Sequence, residues 1–202
     1  MNRGDGISAI ILAAGFSSRM GRFKPLLPLG ETSLLAHVIQ LFQDAGIENV
    51  RVIIGHRHTA LMPAIERHGA TPVFNPDYRK DMFTSVVAGF ASLEPEAEAA
   101  FILPVDIPLV RLATIRRLIE TYDSNRGKIV YPVYKGRRGH PPLIPFALSE
   151  SIMKWSGQEG LRGALKPFEA RAMQVEIPDE YIHFDVDTPE DYARLVLEWK
   201  TG

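Results

Sequence analysis

Cysteine is absent from this chain. That excludes disulfides, thiolate metal sites and a cysteine nucleophile, and it fits a cytoplasmic protein. No segment approaches the ~20 consecutive apolar residues that a membrane-spanning helix needs. Charge of one sign is missing too. Lys and Arg number 23 against 24 Asp and Glu, a formal net charge of −1, so there is no broad electrostatic footprint for nucleic acid or an anionic membrane. Any attraction to phosphate must be local. There is no internal repeat, low-complexity tract or interdomain linker, so the 202 residues read as one domain, 1–202, around one sizeable core. Arg3 ahead of the apolar stretch Ile7 to Phe16 has the outline of a secretory leader. Asp5 interrupts its basic end and the run is short, so these residues read instead as a first strand and its loop.

What is present alternates. Ser8 to Ala13 reads as a buried strand and Ser33 to Ala45 as a helix stopped by Gly46, with Leu34, Leu35, Val38, Ile39, Leu41 and Phe42 at helical spacing. Val50 to Ile54, Thr71 to Phe74, Ala99 to Leu103 and Lys128 to Val133 read as strands. Between them, Thr59 to His68, Met82 to Leu93 and Leu112 to Tyr122 read as helices. This βαβ rhythm predicts an α/β fold with a mostly parallel central sheet and helices on both faces. The rhythm weakens after Val133, where Lys135, Gly136, Arg137, Arg138, Gly139 and two prolines predict a protruding basic loop or hairpin. Phe146 to Lys154 and Gly160 to Lys166 then read as helical and Ala172 to Ile177 as a strand. A last helix runs from Pro189 to Trp199, with Thr188 and Asp191 as a capping-box-like start.

The most informative run is LAAGFSSRMGRFK, Leu12 to Lys24. A loop leaving a buried strand sits at the strand's carboxyl end, where open α/β sheets bind ligands. Ala14 and Gly15 keep the backbone free of bulk, so successive N–H groups can close on phosphate oxygens. Ser17 and Ser18 add neutral donors, Arg19 a planar fork and Lys24 a mobile point charge. The run is neither a GxxxxGK P-loop nor a GxGxxG dinucleotide fingerprint. Taken alone, a glycine-containing turn with two solvated cations is the better explanation.

Four further segments carry chemistry. Asp106, in PVDIP, directly follows an apolar strand, where a carboxylate suits Mg²⁺ but also simply bends a turn. In DVDTPED, Asp185 and Asp187 project to one side if the segment is extended, and two carboxylates so close cost stability without a cation. Glu190 and Asp191 read as first-turn acids favoured by the helix dipole. In RGHPP, Gly139 permits close backbone approach and His140 offers two ring nitrogens beside the basic Lys135, Arg137 and Arg138. Asn75 opens an Asn-Pro-Asp sequence and reads either as a base-reading amide or as a turn initiator.

LAAGFSSRMGRFK, PVDIP, RGHPP and DVDTPED, in that order along the chain, resemble the MobA-like NTP transferases, and within them the molybdenum cofactor cytidylyltransferases. The resemblance covers nearly the whole chain and implies a Rossmann-like three-layer α/β/α nucleotidyltransferase fold. It implies nucleotide binding by Leu12, Ala13, Ala14, Gly15, Ser17, Ser18, Arg19, Lys24, Asn75 and Ser85, with Arg19, Lys24 and Asp106 catalytic. Asp106 and Asp187 become ligands of Mg²⁺, with Mn²⁺ the alternative, and Gly139 and His140 contact the acceptor. Asp81 stands where the family commonly has Gly, which puts the local backbone and base preference in question. Ala13-Ala14-Gly15 is similar to the cytidylyl form of the loop, so the implied reaction moves CMP from CTP to a molybdopterin-type acceptor and releases pyrophosphate. The rival readings are transfer of GMP, transfer to a sugar phosphate, and a non-catalytic carrier serving a molybdenum hydroxylase or its chaperone.

Overall fold

A computed structural model describes residues 6–201. Arg3 and Asp5, weighed above as part of a leader, lie outside the described residues. Among the described residues ten strands and seven α-helices alternate. The strands are β1 (Ile7–Leu12), β2 (Pro28–Leu29), β3 (Thr32–Ser33), β4 (Asn49–Ile54), β5 (Thr71–Phe74), β6 (Ala99–Pro104), β7 (Ile129–Tyr134), β8 (Arg137–Arg138), β9 (Leu143–Pro145) and β10 (Ala172–Glu176). The helices are α1 (Leu34–Asp44), α2 (His58–Arg67), α3 (Met82–Ala91), α4 (Leu112–Asp123), α5 (Ser149–Met153), α6 (Gly160–Leu165) and α7 (Pro189–Thr201).

The main sheet has the order β10-β7-β9-β6-β1-β4-β5, with β8 paired to β7. Its pairings β6–β1, β1–β4, β4–β5 and β7–β10 are parallel, while β9 runs antiparallel to both β6 and β7. The basic excursion is therefore a short β7–β8 hairpin, and its proline-rich exit inserts β9 into the sheet, a strand that the turn-rich composition concealed. The stretch expected to be helical from Phe146 to Lys154 is a 3₁₀ turn, Phe146–Leu148, that runs into the short α5.

Strand β1 is buried on both faces, as a central parallel strand must be. Ile7, Ala9 and Ile11 join Phe101 and the apolar stripes of α1, α2 and α4 in one core layer. Ile10 and Leu12 join Ile102 with Val86 and Phe90 of α3, Ile152 of α5 and Leu165 of α6 in the other. Two buried layers about one sheet make the three-layer arrangement. Helix α1 forms where expected because its apolar stripe is continuous and the Ser33 side chain caps it, accepting from the Ala36 N–H at 3.3 Å. A third cluster, Met20, Leu27, Leu29, Leu34, Val186 and Leu195, pins the loop after β1 to α7. That contact brings residues far apart in sequence to one end of the sheet.

Candidate active site

The chain order reverses at β1: β4 and β5 lie on one side and β6 on the other. A reversal of this kind opens a crevice at the carboxyl ends of the strands. A cleft of about 480 Å³ opens there, lined by the loop after β1, the Tyr78–Asp81 segment before α3 with Met82 at the start of that helix, Pro104 at the end of β6 with the turn that follows it to Ile107, His140, Asp185 and Asp187.

The Lys24 ammonium sits between two carboxylates, 2.6 Å from Asp106 Oδ2 and 3.0 Å from Asp187 Oδ1. Arg19 Nη2 reaches the other oxygen of Asp187 at 2.9 Å. Burial works to lower the Lys24 pKa, but attraction and hydrogen bonding to Asp106 and Asp187 outweigh it and the pKa is raised. The two acidic loops are tied by the backbone, since the Val186 N–H donates to the Asp106 carbonyl at 2.8 Å. Asp185 also lines the cleft, and its pKa is raised by burial and by the charges of Asp106 and Asp187. Asp187 is held by the start of α7: Asp191 accepts from the N–H groups of Asp187 and Thr188 and from the Thr188 hydroxyl, while the Asp191 N–H donates back to Thr188. This is the reciprocal capping box expected there.

Two carboxylate oxygens that converge on one ammonium nitrogen are also suited to a divalent cation, for which Lys24 Nζ is the stand-in. Among the described residues no group of three or more His, Asp or Glu side chains could hold a metal alone. A Mg²⁺ or Mn²⁺ here would take most of its ligands from phosphate and water, as Mg²⁺ usually does.

The loop between β1 and Lys24 is fixed at both ends. The Ala13 N–H donates to Ile53 O at 2.9 Å and the His56 N–H to Ala14 O at 3.1 Å. Ser17, in the left-handed region at φ 55°, closes the loop on itself: its Oγ accepts from the Lys24 N–H at 3.0 Å. Its O–H still has a proton to donate. A Cβ on Gly15 would meet nothing within 4 Å, so this exposed residue leaves open space on the cleft side rather than packing against protein. Leu12, Ala13, Ala14, Gly15, Ser17, Arg19 and Lys24 all line the cleft, whereas Ser18 does not.

At the α3 side, Ser85 lines the cleft and is buried; Asn75 is buried behind it. The Asn75 amide donates to Thr84 Oγ1 at 2.9 Å and to Ser85 Oγ at 3.0 Å, and its oxygen accepts from the Asp77 N–H at 2.9 Å. Every polar atom of Asn75 is thus engaged in an Asx turn and a brace behind the cleft. Asp81, where the resemblance implies a glycine, has φ −162°, an extended conformation open to any residue, and caps α3 by accepting from the Thr84 N–H at 2.9 Å. The substitution therefore leaves the backbone unstrained.

His140 lines the cleft, but Gly139 does not. A Cβ on Gly139 would lie 2.6 Å from the Ile182 carbonyl oxygen, so its glycine is required by packing on the segment before Asp185. Burial lowers the His140 pKa, and its Nδ1 is buried without a hydrogen-bond partner among the described residues. The basic hairpin residues Lys135, Arg137 and Arg138 do not line the cleft either. Arg138 stacks on Tyr131, 4.4 Å from the ring centroid, and pairs with Glu169, so its charge is already committed. Reading the motifs missed Pro25, Tyr78, Arg79, Lys80 and Met82 as cleft residues. Tyr78 had a visible signal, an aromatic between two turn residues and two cations.

The fold, the reversal at β1 and the cluster of cations with carboxylates describe a nucleotidyltransferase. The MobA-like NTP transferase domain matches residues 9–175, and the chain belongs to that family. It is similar to a molybdenum cofactor cytidylyltransferase of Escherichia coli, with 30% identity over 92% of this chain and 93% of the relative. Among solved structures it resembles Rv0371c of Mycobacterium tuberculosis, with a TM-score of 0.81 and 26% identity over 95% of this chain and 97% of that one. A second structure of Rv0371c, in complex with manganese, superposes with a TM-score of 0.72 and 25% identity over 95% of this chain and 97% of that one. Among the described residues no helix is long and apolar enough to cross a membrane.

Proposed function

We propose that this chain transfers CMP from CTP to the phosphate of a molybdopterin-type acceptor and releases pyrophosphate. The observation that carries the transfer chemistry is the Lys24 ammonium held by Asp106 and Asp187 beside the loop after β1. The choice of CTP and of the acceptor is supported by the full-length similarity to the E. coli cytidylyltransferase.

In this reading the N–H groups of Ala14 to Ser17 and the Ser17 hydroxyl bind the triphosphate, with Arg19 and Lys24 turned from the carboxylates to the phosphate oxygens. An acceptor phosphate oxygen attacks the α-phosphorus, a new P–O bond forms, and the bond from that phosphorus to the α,β-bridging oxygen breaks. The electron pair leaves with pyrophosphate, whose growing charge Arg19 and Lys24 stabilise. Asp106 and Asp187 would hold Mg²⁺ or Mn²⁺, which supplies charge neutralisation and orientation of the phosphates. The acceptor phosphate is an anion near neutral pH, so no activated nucleophilic side chain is needed. His140, kept neutral by burial, is suited to donate or accept one hydrogen bond at the acceptor without adding charge.

The test is pyrophosphate release by the purified protein with Mg²⁺ and molybdopterin, supplying CTP, GTP, ATP and UTP separately and omitting the acceptor in a control. Acceptor-dependent release with CTP, lost in Asp106→Asn, is the expected result. Release with GTP in preference to CTP would move the reading to guanylyl transfer.

A further inference from the structure

Three of the four carboxylates lining the cleft, Asp106, Asp185 and Asp187, gather at its cation end. The fourth, Asp81, belongs to the segment after β5, on the other side of β1 in the sheet. One of its oxygens is fixed by the Thr84 N–H at the start of α3, which locks the side chain. The other has no partner among the described residues, and no cation pairs with it: the Lys80 ammonium is taken by Asp77 at 2.8 Å. Asp81 is exposed to the cleft, and a carboxylate held there repels phosphate and suits a hydrogen-bond donor elsewhere on a bound nucleotide. A nucleoside offers such donors on its ribose and on its base. The surroundings favour the base. Tyr78 and the 61% exposed Met82 line the cleft with Asp81, and Phe16, 45% exposed, lies 5.6 Å from Tyr78 between ring centroids. Such apolar surfaces suit the face of a heteroaromatic ring.

Resting on the nucleotidyltransferase reading, we propose that Asp81 is a specificity-determining residue: its unpartnered oxygen accepts a hydrogen bond from the exocyclic amine of the bound base and rejects a base with a carbonyl there. Cytosine carries an amine at the position where uracil carries a carbonyl oxygen. A carboxylate accepts from the first and repels the second. Asp81→Asn is the informative variant, because Asn caps helices as well as Asp. With the Asn oxygen held by the Thr84 N–H, its NH₂ takes the free position and turns the acceptor into a donor. Asp81→Gly removes the group and keeps a residue that is tolerated at a helix N-cap.

The experiment is calorimetric binding of CTP, UTP and 2′-deoxyCTP, each with Mg²⁺, to the wild type and both variants. The expected result is a preference for CTP over UTP of about tenfold or more in the wild type, the size of one charge-assisted hydrogen bond. The preference falls to near parity in Asp81→Gly and falls further or reverses in Asp81→Asn, with 2′-deoxyCTP following CTP throughout. An unchanged CTP to UTP ratio in Asp81→Asn, with CTP binding intact, overturns this inference and leaves the nucleotidyltransferase reading standing. A 2′-deoxyCTP penalty that vanishes in Asp81→Asn overturns it by assigning the carboxylate to the ribose. No binding of any triphosphate by the wild type overturns both.

Discussion

Lys24 Nζ lies 2.6 Å from Asp106 Oδ2 and 3.0 Å from Asp187 Oδ1, so one ammonium joins the loop after β1 to the turn after β6 and the segment before α7. The pair is largely enclosed, with 13% and 19% of the Lys24 and Asp106 side chains exposed. Removing one partner of an enclosed pair leaves an uncompensated charge, which is the costly change.

Lys24→Met should lower acceptor-dependent pyrophosphate release by about 10²- to 10³-fold, the usual loss of one electrostatic stabiliser. It should also raise Mn²⁺ affinity in the absence of nucleotide, since the ammonium no longer competes for Asp106 and Asp187. Paramagnetic resonance of bound Mn²⁺ reads the second effect independently of turnover. Unchanged Mn²⁺ affinity would contradict competition for one locus.

Asp191 is outside the cleft lining yet holds the backbone of Asp187 and Thr188. Asp191→Ala should cost about 1 kcal/mol of stability as a lost cap. It should also raise the metal concentration needed for half-maximal rate, and Asp191→Asn should restore part of both. Denaturant unfolding and metal titration of the rate check the two effects.

His37 and His140 both have pKa values lowered by burial below the usual 6.5. In the window between the folded values and 6.5 the unfolded chain binds more protons than the native one, so stability rises with pH there. The contribution is complete above pH 6.5 and is lost as pH falls through the folded values. Thermal unfolding from pH 7 down to 5 should show this slope. His37→Phe, at a side chain packed edge-on against Trp199 with centroids 4.8 Å apart, should flatten it.

Gly89 of α3 lies against β1, where an added Cβ would be 2.5 Å from Ile10 Cγ2. Gly89→Ala gains about 1 kcal/mol of helix propensity. Overpacking a filled core costs about 1–3 kcal/mol, so the net change should be a loss. Chemical denaturation gives the sign.

The elements with clear periodicity were legible before any coordinates. Ile10 to Leu12 and Phe101 to Leu103 read as buried strands because they are contiguous and apolar, as strands covered on both faces are, and α1 read correctly from its stripe and its Gly46 stop. Strand β9 was hidden because Pro141 and Pro142 mark a turn in any local reading; only pairing with β6 and β7, distant in sequence, makes Leu143–Pro145 a strand.

At the site, motif order pointed to Arg19, Lys24, Asp106 and Asp187, and the fold brings these four side chains into one ion-paired group. Side-chain partners were illegible. The basic run Lys135 to Arg138 gave no sign that Glu169, some thirty residues on, takes Arg138. Nor could the Asn75-Pro76-Asp77 sequence show that the Asn75 amide is spent on Thr84, Ser85 and the Asp77 N–H. Pairings of this kind depend on tertiary distance, which local sequence does not encode.

The most direct test of the central claim follows each phosphorus of CTP, labelled at the α or the γ position, in a reaction with molybdopterin and Mg²⁺. The account predicts α-label in the acceptor and γ-label in pyrophosphate, with both transfers lost in Asp106→Asn. Transfer of γ-label to the acceptor, or release of labelled CMP without acceptor labelling, would contradict it.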